Sequence, residues 1–202
     1  MGKAKIPTPK TIIVHKDNIQ FIEKQIGLPC VLKKPDSSFS QGVTKVSNID
    51  TLKIELEKLL DSSDLIIAQE FTPTDFDWRI GILDKTPLYA CKYYMAKNHW
   101  QIYDWDENGD SNYGNFETML IKKVPPKVVD IALKAANQIG DGFYGVDLKQ
   151  KGENVFVIEV NDNPSIDYGI EDQKLKDKLY LTVMHSFKNR IDKIRKVKKL
   201  RL

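Results

Sequence analysis

The stretch VIEVNDNPSID, residues 157–167, decides how this chain is read. Val157, Ile158 and Val160 belong in a core, yet Glu159 and Asn161 interrupt them two residues apart. Side chains of a strand alternate faces, so Glu159 and Asn161 point one way while Ile158 and Val160 point the other. Upstream, FYGVDLK at residues 143–149 is a second strand-like segment, joined to the first by the turn Lys151-Gly152-Glu153-Asn154. A hairpin centred on Glu153 sets Asp147 opposite Glu159, with Asn161 on the same face. Directly opposed side chains have Cβ atoms about 5 Å apart, and two carboxylates about 4 Å apart repel by roughly 4 kcal/mol where water is partly excluded. Such a pair shares a proton or holds a cation. Two carboxylates with an amide oxygen make a hard-oxygen set suited to Mg2+ or Mn2+. The same spacing also fits a solvent-facing strand whose acids keep the surface polar.

Magnesium bound this way completes its shell with water and substrate phosphates, so the rest of the chain is read for a phosphate partner. Lys33 ends the apolar run Cys30-Val31-Leu32, and Lys34 follows. Residues 35–42, PDSSFSQG, are a small-residue loop returning into Val43. Such a loop can turn backbone N–H groups and hydroxyls onto phosphate oxygens while a lysine brings positive charge. It is not a P-loop, because it lacks Gly-Lys-Ser/Thr and no helix follows. A solvated hairpin loop has the same composition.

Further elements follow from periodicity. Residues 11–14 are a β-branched run, and residues 15–27 predict a helix with Ile19, Ile22 and Ile26 on one face. Val43-Thr44-Lys45-Val46 alternates as a strand. Asp50 is a candidate cap for a helix to about Leu60, and residues 64–71 predict a buried strand. Residues 78–83 and 87–96 predict a hairpin around Asp84-Lys85-Thr86. Residues 98–118 read as a long excursion with a short strand at 100–105. Pro125 and Pro126 start a helix whose Val128, Ile131, Ala135 and Ile139 face the core and which Gly140 stops. A last helix from about Lys174 carries Leu175, Leu179, Val183, Phe187, Ile191 and Ile194 as its apolar stripe. Strands and helices mix without strict βαβ alternation, which indicates an α+β fold.

The 202 residues suffice for one domain or two small lobes, and 41% hydrophobic with 29% charged residues is ordinary for a globular protein. The formal charge of +3 is concentrated after residue 187, where cations surround a single Asp192. The remainder is near neutral or slightly acidic, so a fold binding nucleic acid over its whole surface is not indicated. Cys30 and Cys91 give neither a disulfide framework nor zinc spacing and read as buried thiols. No apolar run is long enough to span a membrane, and the N-terminal MGKAKIPTPK lacks a signal-peptide core. A cytoplasmic protein is expected.

The ordered set Val31-Leu32-Lys33, the loop to Gly42-Val43, Gln69-Glu70-Phe71, Asp77-Trp78-Arg79, Gly145-Val146-Asp147 and Glu159-Val160-Asn161-Asp162-Asn163-Pro164 resembles the ATP-grasp family. Within it the set is most similar to the RimK-type ligases, typified by the enzyme that adds glutamates to ribosomal protein S6. The resemblance covers about residues 7–187. It implies two α+β lobes with ATP between them, the smaller at about 30–70 and the larger at about 72–187, after a linker at 1–10 and before a basic helical tail at 188–202. It also implies an ATP-dependent carboxylate–amine ligase, in which ATP phosphorylates a carboxylate and an amine attacks the acyl phosphate.

By the same resemblance Lys33, with Ser38, Gln41 and Gly42 of the loop, contacts the ATP phosphates. Gln69, Glu70 and Phe71 form an inter-lobe hinge whose backbone binds the adenine edge, and Asp77 is a further nucleotide contact. Asp147, Glu159 and Asn161 hold Mg2+ or Mn2+. Asn163 and Ser165 lie near the acceptor, an acidic small molecule or the C-terminal carboxylate of a peptide or protein, extended by an amino acid. Arg79 is the candidate for stabilising the transferred phosphoryl group or the acceptor carboxylate, the alternative being a surface arginine. The sequence departs from the RimK-type pattern at Gly114-Asn115-Phe116-Glu117-Thr118-Met119, where that pattern has an arginine and an asparagine. Either Lys92 or Lys97 then substitutes, or the site differs. The family's N-terminal domain is not represented, so a longer protein or a partner-dependent half is expected. The basic tail reads first as a solvated helix end and second as a contact to RNA or the ribosome. A nucleotide-binding regulatory module without ligase activity is the alternative. The aromatics around His99, in NHWQIYDW, suit either packing or covering a substrate.

Overall fold

A computed structural model describes residues 4–36, 42–105 and 111–199. They form two compact units, the first from Pro7–Phe76 with Tyr94–Asn115, the second chiefly from Asp77–Tyr93 and the residues from Phe116 onward. In the first unit β1 (Thr11–Val14), β2 (Cys30–Lys33), β3 (Val43–Val46) and β4 (Ile66–Glu70) make an antiparallel sheet in the order β1-β4-β2-β3. One face packs on α1 (Phe21–Gln25) and α2 (Ile49–Leu60). Leu52, Leu56, Leu59 and Leu60 recur at helical spacing and meet Val14, Cys30, Leu32, Ile66 and Ala68 in its core. Asn48, rather than Asp50, caps α2: its Oδ1 accepts from Thr51 N at 2.9 Å. The helix expected from residue 15 starts only at Phe21, because Asn18 ties the preceding turn to His15 N and Ile13 O.

The chain then forms the hairpin of β5 (Phe76–Leu83) and β6 (Thr86–Tyr94). Its turn residues Asp84 and Lys85 take φ of 50° and 62°, the left-handed pair that matches strand twist in a two-residue turn. The excursion that follows groups with the first unit, whereas the sequence assigns it to the larger lobe. Tyr94 N donates to Asn115 O and Met95 N to Asp75 O, and β7 (Tyr103–Trp105) pairs with β8 (Ser111–Tyr113).

The second unit is completed by β9 (Phe116–Met119), α3 (Pro126–Ala136), β10 (Phe143–Lys151), β11 (Asn154–Asn161) and α4 (Asp177–Lys199). Its sheet runs β11-β10-β5-β6-β9. Helix α3 packs on β10 and β11 through Val128, Ile131, Ala132 and Ala135. It ends at Ala136, so Ile139, expected in the core, is exposed. Leu179 and Val183 of α4 are buried, but Phe187, Ile191 and Ile194 are exposed, contrary to the expected stripe. The reason is polar: further along, α4 is tied down by Ser186 on Asp84 and by Arg190 on Asp84 and Asp141. Among the described residues no helix is long and apolar enough to cross a membrane.

Candidate active site

The opposition of Asp147 and Glu159 depends on a β-bulge. The hairpin turns between Lys151 and Asn154, and pairing runs to Leu148 opposite Val157. The register then shifts, Ile158 is left as the extra residue, and Asp147 faces Glu159. The turn is therefore centred one half-step before Glu153, and without the bulge Asp147 would face Ile158. Val155 and Val157 are buried on the same side as Val146 and Leu148, and the bulge brings Glu159 and Asn161 to the other face with Asp147.

Arg79 lies directly across β10 from Asp147. Its Nε donates to Oδ1 at 2.5 Å and an Nη to Oδ2 at 2.7 Å, a bidentate fork in which the two side chains are only 19% and 17% exposed. Burial works against the guanidinium charge, but the Asp147 carboxylate outweighs it and holds Arg79 above its ordinary pKa. Arg79 is thus not a surface arginine. Two strand positions on, Lys149 Nζ reaches Asp77 Oδ1 at 2.6 Å on the same face.

The donor set fits a divalent cation. Asn161 Nδ2 lies 3.3 Å from Asp147 Oδ2 and 3.2 Å from Glu159 Oε1, so both carboxylates converge on one point that the amide already occupies. Rotating that amide would turn its oxygen to the same point and complete a hard-oxygen trio. Among the described residues no three His, Cys, Asp or Glu side chains cluster as a metal site, and here the third donor is the amide. Arg79 competes for both Asp147 oxygens, so a cation at this point requires the fork to yield at least one.

The same face holds a buried cluster that sequence reasoning missed. The Tyr93 ring lies 5.8 Å from the Arg79 guanidinium, and Tyr89 fills the space over Gly81, where a Cβ would meet its ring at 2.2 Å. Tyr93 donates its hydroxyl to Oε1 of Glu171, a fully buried carboxylate whose pKa burial raises, against the opposing hydrogen bonds from Tyr93 and Asp167. Burial and Glu171 push the Tyr93 hydroxyl far up as well. Tyr89 Oη is the one buried side-chain polar atom without a hydrogen-bond partner among the described residues. Gly145 has its own reason to be glycine: a Cβ there would lie 2.8 Å from Pro164 and 3.0 Å from Arg79. Tyrosines and a glutamate dispersed over eighty residues carry no spacing signal, and only the folded sheet gathers them.

In the first unit the face away from α2 carries the polar groups Thr11, Lys33, Lys45 and Gln69 among Ile13, Val31, Val43 and Ile67. Thr11, Gln69, Val31 and Lys45 stand in register across the four strands. Lys33 Nζ donates to Gln69 Oε1 at 2.9 Å, and Gln69 Nε2 donates to Thr11 Oγ1 at 3.0 Å. Lys45, not singled out in the sequence, sits 4.6 Å above the Phe71 ring and 5.9 Å from Trp100, and those two rings meet edge to face at 5.8 Å. Its signal was the alternation of Val43-Thr44-Lys45-Val46, which puts Lys45 on the face opposite the buried Val46. Glu70 Oε2 accepts from Lys10 N at 3.3 Å.

Lys33, Gln69 and Phe71 are therefore gathered in one unit, and Asp77, Arg79, Asp147, Glu159 and Asn161 in the other. Ser38 and Gln41 lie outside the described residues, and Gly42 leads into β3 with φ of 68°. Lys92 is not brought to Arg79. It points to the other side of β6, with Nζ 5.0 Å from the Trp78 ring and 3.6 Å from Glu117, its register partner on β9.

Two antiparallel α+β units are the architecture of the ATP-grasp fold, and solved structures bear out the fold. The D-alanine–D-alanine ligase of Bacillus anthracis complexed with ATP superposes at a TM-score of 0.69, with 18% identity, over 95% of this chain and 65% of that one. The family described as D-ala D-ala ligase C-terminus matches residues 5–168, and the chain belongs to it. Among curated proteins it is similar to the α-aminoadipate–LysW ligase LysX of Saccharolobus solfataricus, 30% identical over 172 residues, 81% of this chain and 58% of LysX. It is also similar to the coenzyme γ-F420-2:α-L-glutamate ligase of Methanocaldococcus jannaschii, 28% identical over 194 residues, 89% of this chain and 62% of that ligase. The chain spans about three fifths of these relatives' length.

Proposed function

We propose that this chain is the catalytic part of an ATP-dependent carboxylate–amine ligase of the RimK type. The observation that carries the reading is the bulge-set trio Asp147, Glu159 and Asn161 with Arg79 forked onto it. The ordered motif set and the two curated relatives, both named as ligases, support it. The acceptor carboxylate attacks the γ-phosphorus of ATP and ADP departs. The amine of an amino acid then attacks the acyl carbon, phosphate leaves, and the amine proton passes to solvent. Lys33 and Lys45 neutralise phosphate charge from one face, and the backbone at Glu70 and Phe71 takes the adenine edge. Arg79 orients the phosphoryl group or the acceptor carboxylate. Asp147, Glu159 and Asn161 would hold Mg2+ or Mn2+, which when bound neutralises phosphate charge during in-line transfer.

The test is an ADP-release screen of the full-length gene product against amino acids and carboxylate acceptors, with mass spectrometry of the products. ADP release that requires both co-substrates, with the amide product detected, is the expected result. A second reading, a nucleotide-binding module without turnover, is favoured by one observation: Glu117 takes the place of an arginine in the RimK pattern and pairs with Lys92. Magnesium-dependent nucleotide binding with no product from any pair would establish that reading instead.

A further inference from the structure

We infer that Glu171 is a positioning residue that fixes the acceptor side of the site by holding the loop after β11 in register with Arg79. The inference rests on the ligase reading for its functional half only. Residues 162–170 run from the last metal donor, Asn161, to a short 3-10 helix (Glu171–Gln173). Near its start the loop lies hard against the sheet, with Pro164 over Gly145. At its end Glu171 Oε2 accepts from Asp167 N at 2.8 Å, Thr118 Oγ1 donates to Ile170 O at 2.7 Å, and Asp172 Oδ1 accepts from Gly169 N at 2.8 Å. Tyr168, between these pinned backbone groups, is 92% exposed. The loop is thus held firmly while presenting its tip outward.

Asp172 turns its second oxygen to the Tyr180 hydroxyl of α4, at 3.2 Å, whereas the second oxygen of Glu171 leads toward Arg79. It takes the Tyr93 hydroxyl, and the ring of Tyr93 lies beside the guanidinium of Arg79. One fully buried carboxylate therefore joins the loop backbone to the floor under Arg79. A buried carboxylate is an expensive way merely to fill space, since an apolar side chain of similar volume is commonly as stabilising. What the carboxylate adds is two directed acceptors at a fixed separation, one for the loop and one for the Arg79 floor.

Amide hydrogen exchange and steady-state kinetics of the full-length protein test this with three variants. Glu171→Ala removes both acceptors, Tyr93→Phe removes only the hydroxyl, and Glu171→Gln keeps the shape with one acceptor oxygen. Exchange at residues 165–170 should quicken about tenfold or more in Glu171→Ala, several-fold in Tyr93→Phe, and least in Glu171→Gln. With a ligase assay in hand, KM for the carboxylate acceptor should rise about three- to tenfold while KM for ATP stays within about twofold. Should Glu171→Ala fail to fold, the Tyr93→Phe comparison carries the test. Unchanged exchange in the folded variants, or parallel losses for ATP and acceptor, would overturn the inference. The exchange readout needs no turnover, so an absence of ligase activity would sink the ligase reading without deciding the role of Glu171.

Discussion

The two sheets of this protein follow one plan with different charged groups, lysines on one and carboxylates paired with Arg79 and Lys149 on the other. Each is antiparallel, buries one face on helices and gathers charged side chains on the other. In the first unit that second face carries cations, Lys33 and Lys45, steadied by Gln69 and by two aromatic rings. In the second it carries acids, Asp147 and Glu159, steadied by Arg79 and Asn161. Under the ligase reading proposed above, the labour divides: the cations would meet phosphate directly on one sheet, and the acids would meet it through a metal on the other. The difference also shows two ways of holding charged side chains on a sheet face. Aromatic faces attract the lysine without neutralising it, whereas the carboxylates need a counter-charge until a cation arrives.

The comparison breaks first at Glu159. Glu159→Gln keeps the size of the side chain and an acceptor oxygen but removes one of the two charges that face the cation point. Magnesium-dependent nucleotide affinity should fall about a hundredfold or more by calorimetry with ATP and Mg2+, with an unchanged circular dichroism spectrum. An unchanged affinity would mean that the acid face does not bind metal, and the division of labour would be wrong.

Gly145 gives the next largest effect and tests the second unit alone. Its missing Cβ lets Pro164 and Arg79 approach the same spot. Gly145→Ala should destabilise the protein by about 1–3 kcal/mol through overpacking, read from urea melts. The same change should weaken magnesium-nucleotide binding, because Arg79 must move. A variant as stable as the wild type, with full binding, would show that this close packing is dispensable.

Lys45 probes the cation face. Lys45→Gln removes the charge while preserving most of the stem, so nucleotide affinity should drop about three- to tenfold with stability nearly unchanged. The loss should shrink as salt rises, since the lost term is electrostatic. Equal loss at low and high salt would point to a packing role for Lys45 against Phe71 and Trp100.

Legibility in the sequence also divided along these faces. The trio of Asp147, Glu159 and Asn161 was readable because a long hairpin imposes period two and the acids interrupt apolar runs. Even there the correct pairing relied on a bulge at Ile158 that no pattern announces. Lys33 was readable as the end of an apolar strand. Lys45 was not, since a lysine in a four-residue strand looks like any solvent-facing residue until Phe71 and Trp100 arrive from elsewhere in the chain. Tyr93 and Glu171 were hidden for the same reason at longer range: their hydrogen bond spans 78 residues. Periodicity reports which face a residue takes, and says nothing of which distant residues share that face. Of the helix boundaries that failed, the one at residues 15–20 failed where the Asn18 side chain bonds the backbone locally, and the one after Ala136 where Gln138 N and Ile139 N bond three residues back and close the helix in tight turns.

The smallest effect uses the two thiols as matched reporters, Cys30 buried in the first unit and Cys91 in the second. Burial pushes each thiol up to about 11. A thiol whose folded pKa lies above its unfolded value favours folding below the unfolded pKa, and that contribution is lost as pH rises toward the folded one. With an unfolded value near 9, each thiol should cost about 0.4 kcal/mol by pH 9 relative to pH 7. Urea melts of Cys30→Ala and Cys91→Ala should each lose that increment of pH dependence, so that the double variant is flatter than either single one by equal steps. If only one substitution flattens the profile, the thiol of the other unit is reached by solvent in the native protein, and the burial that the two sheets share would hold for one of them alone.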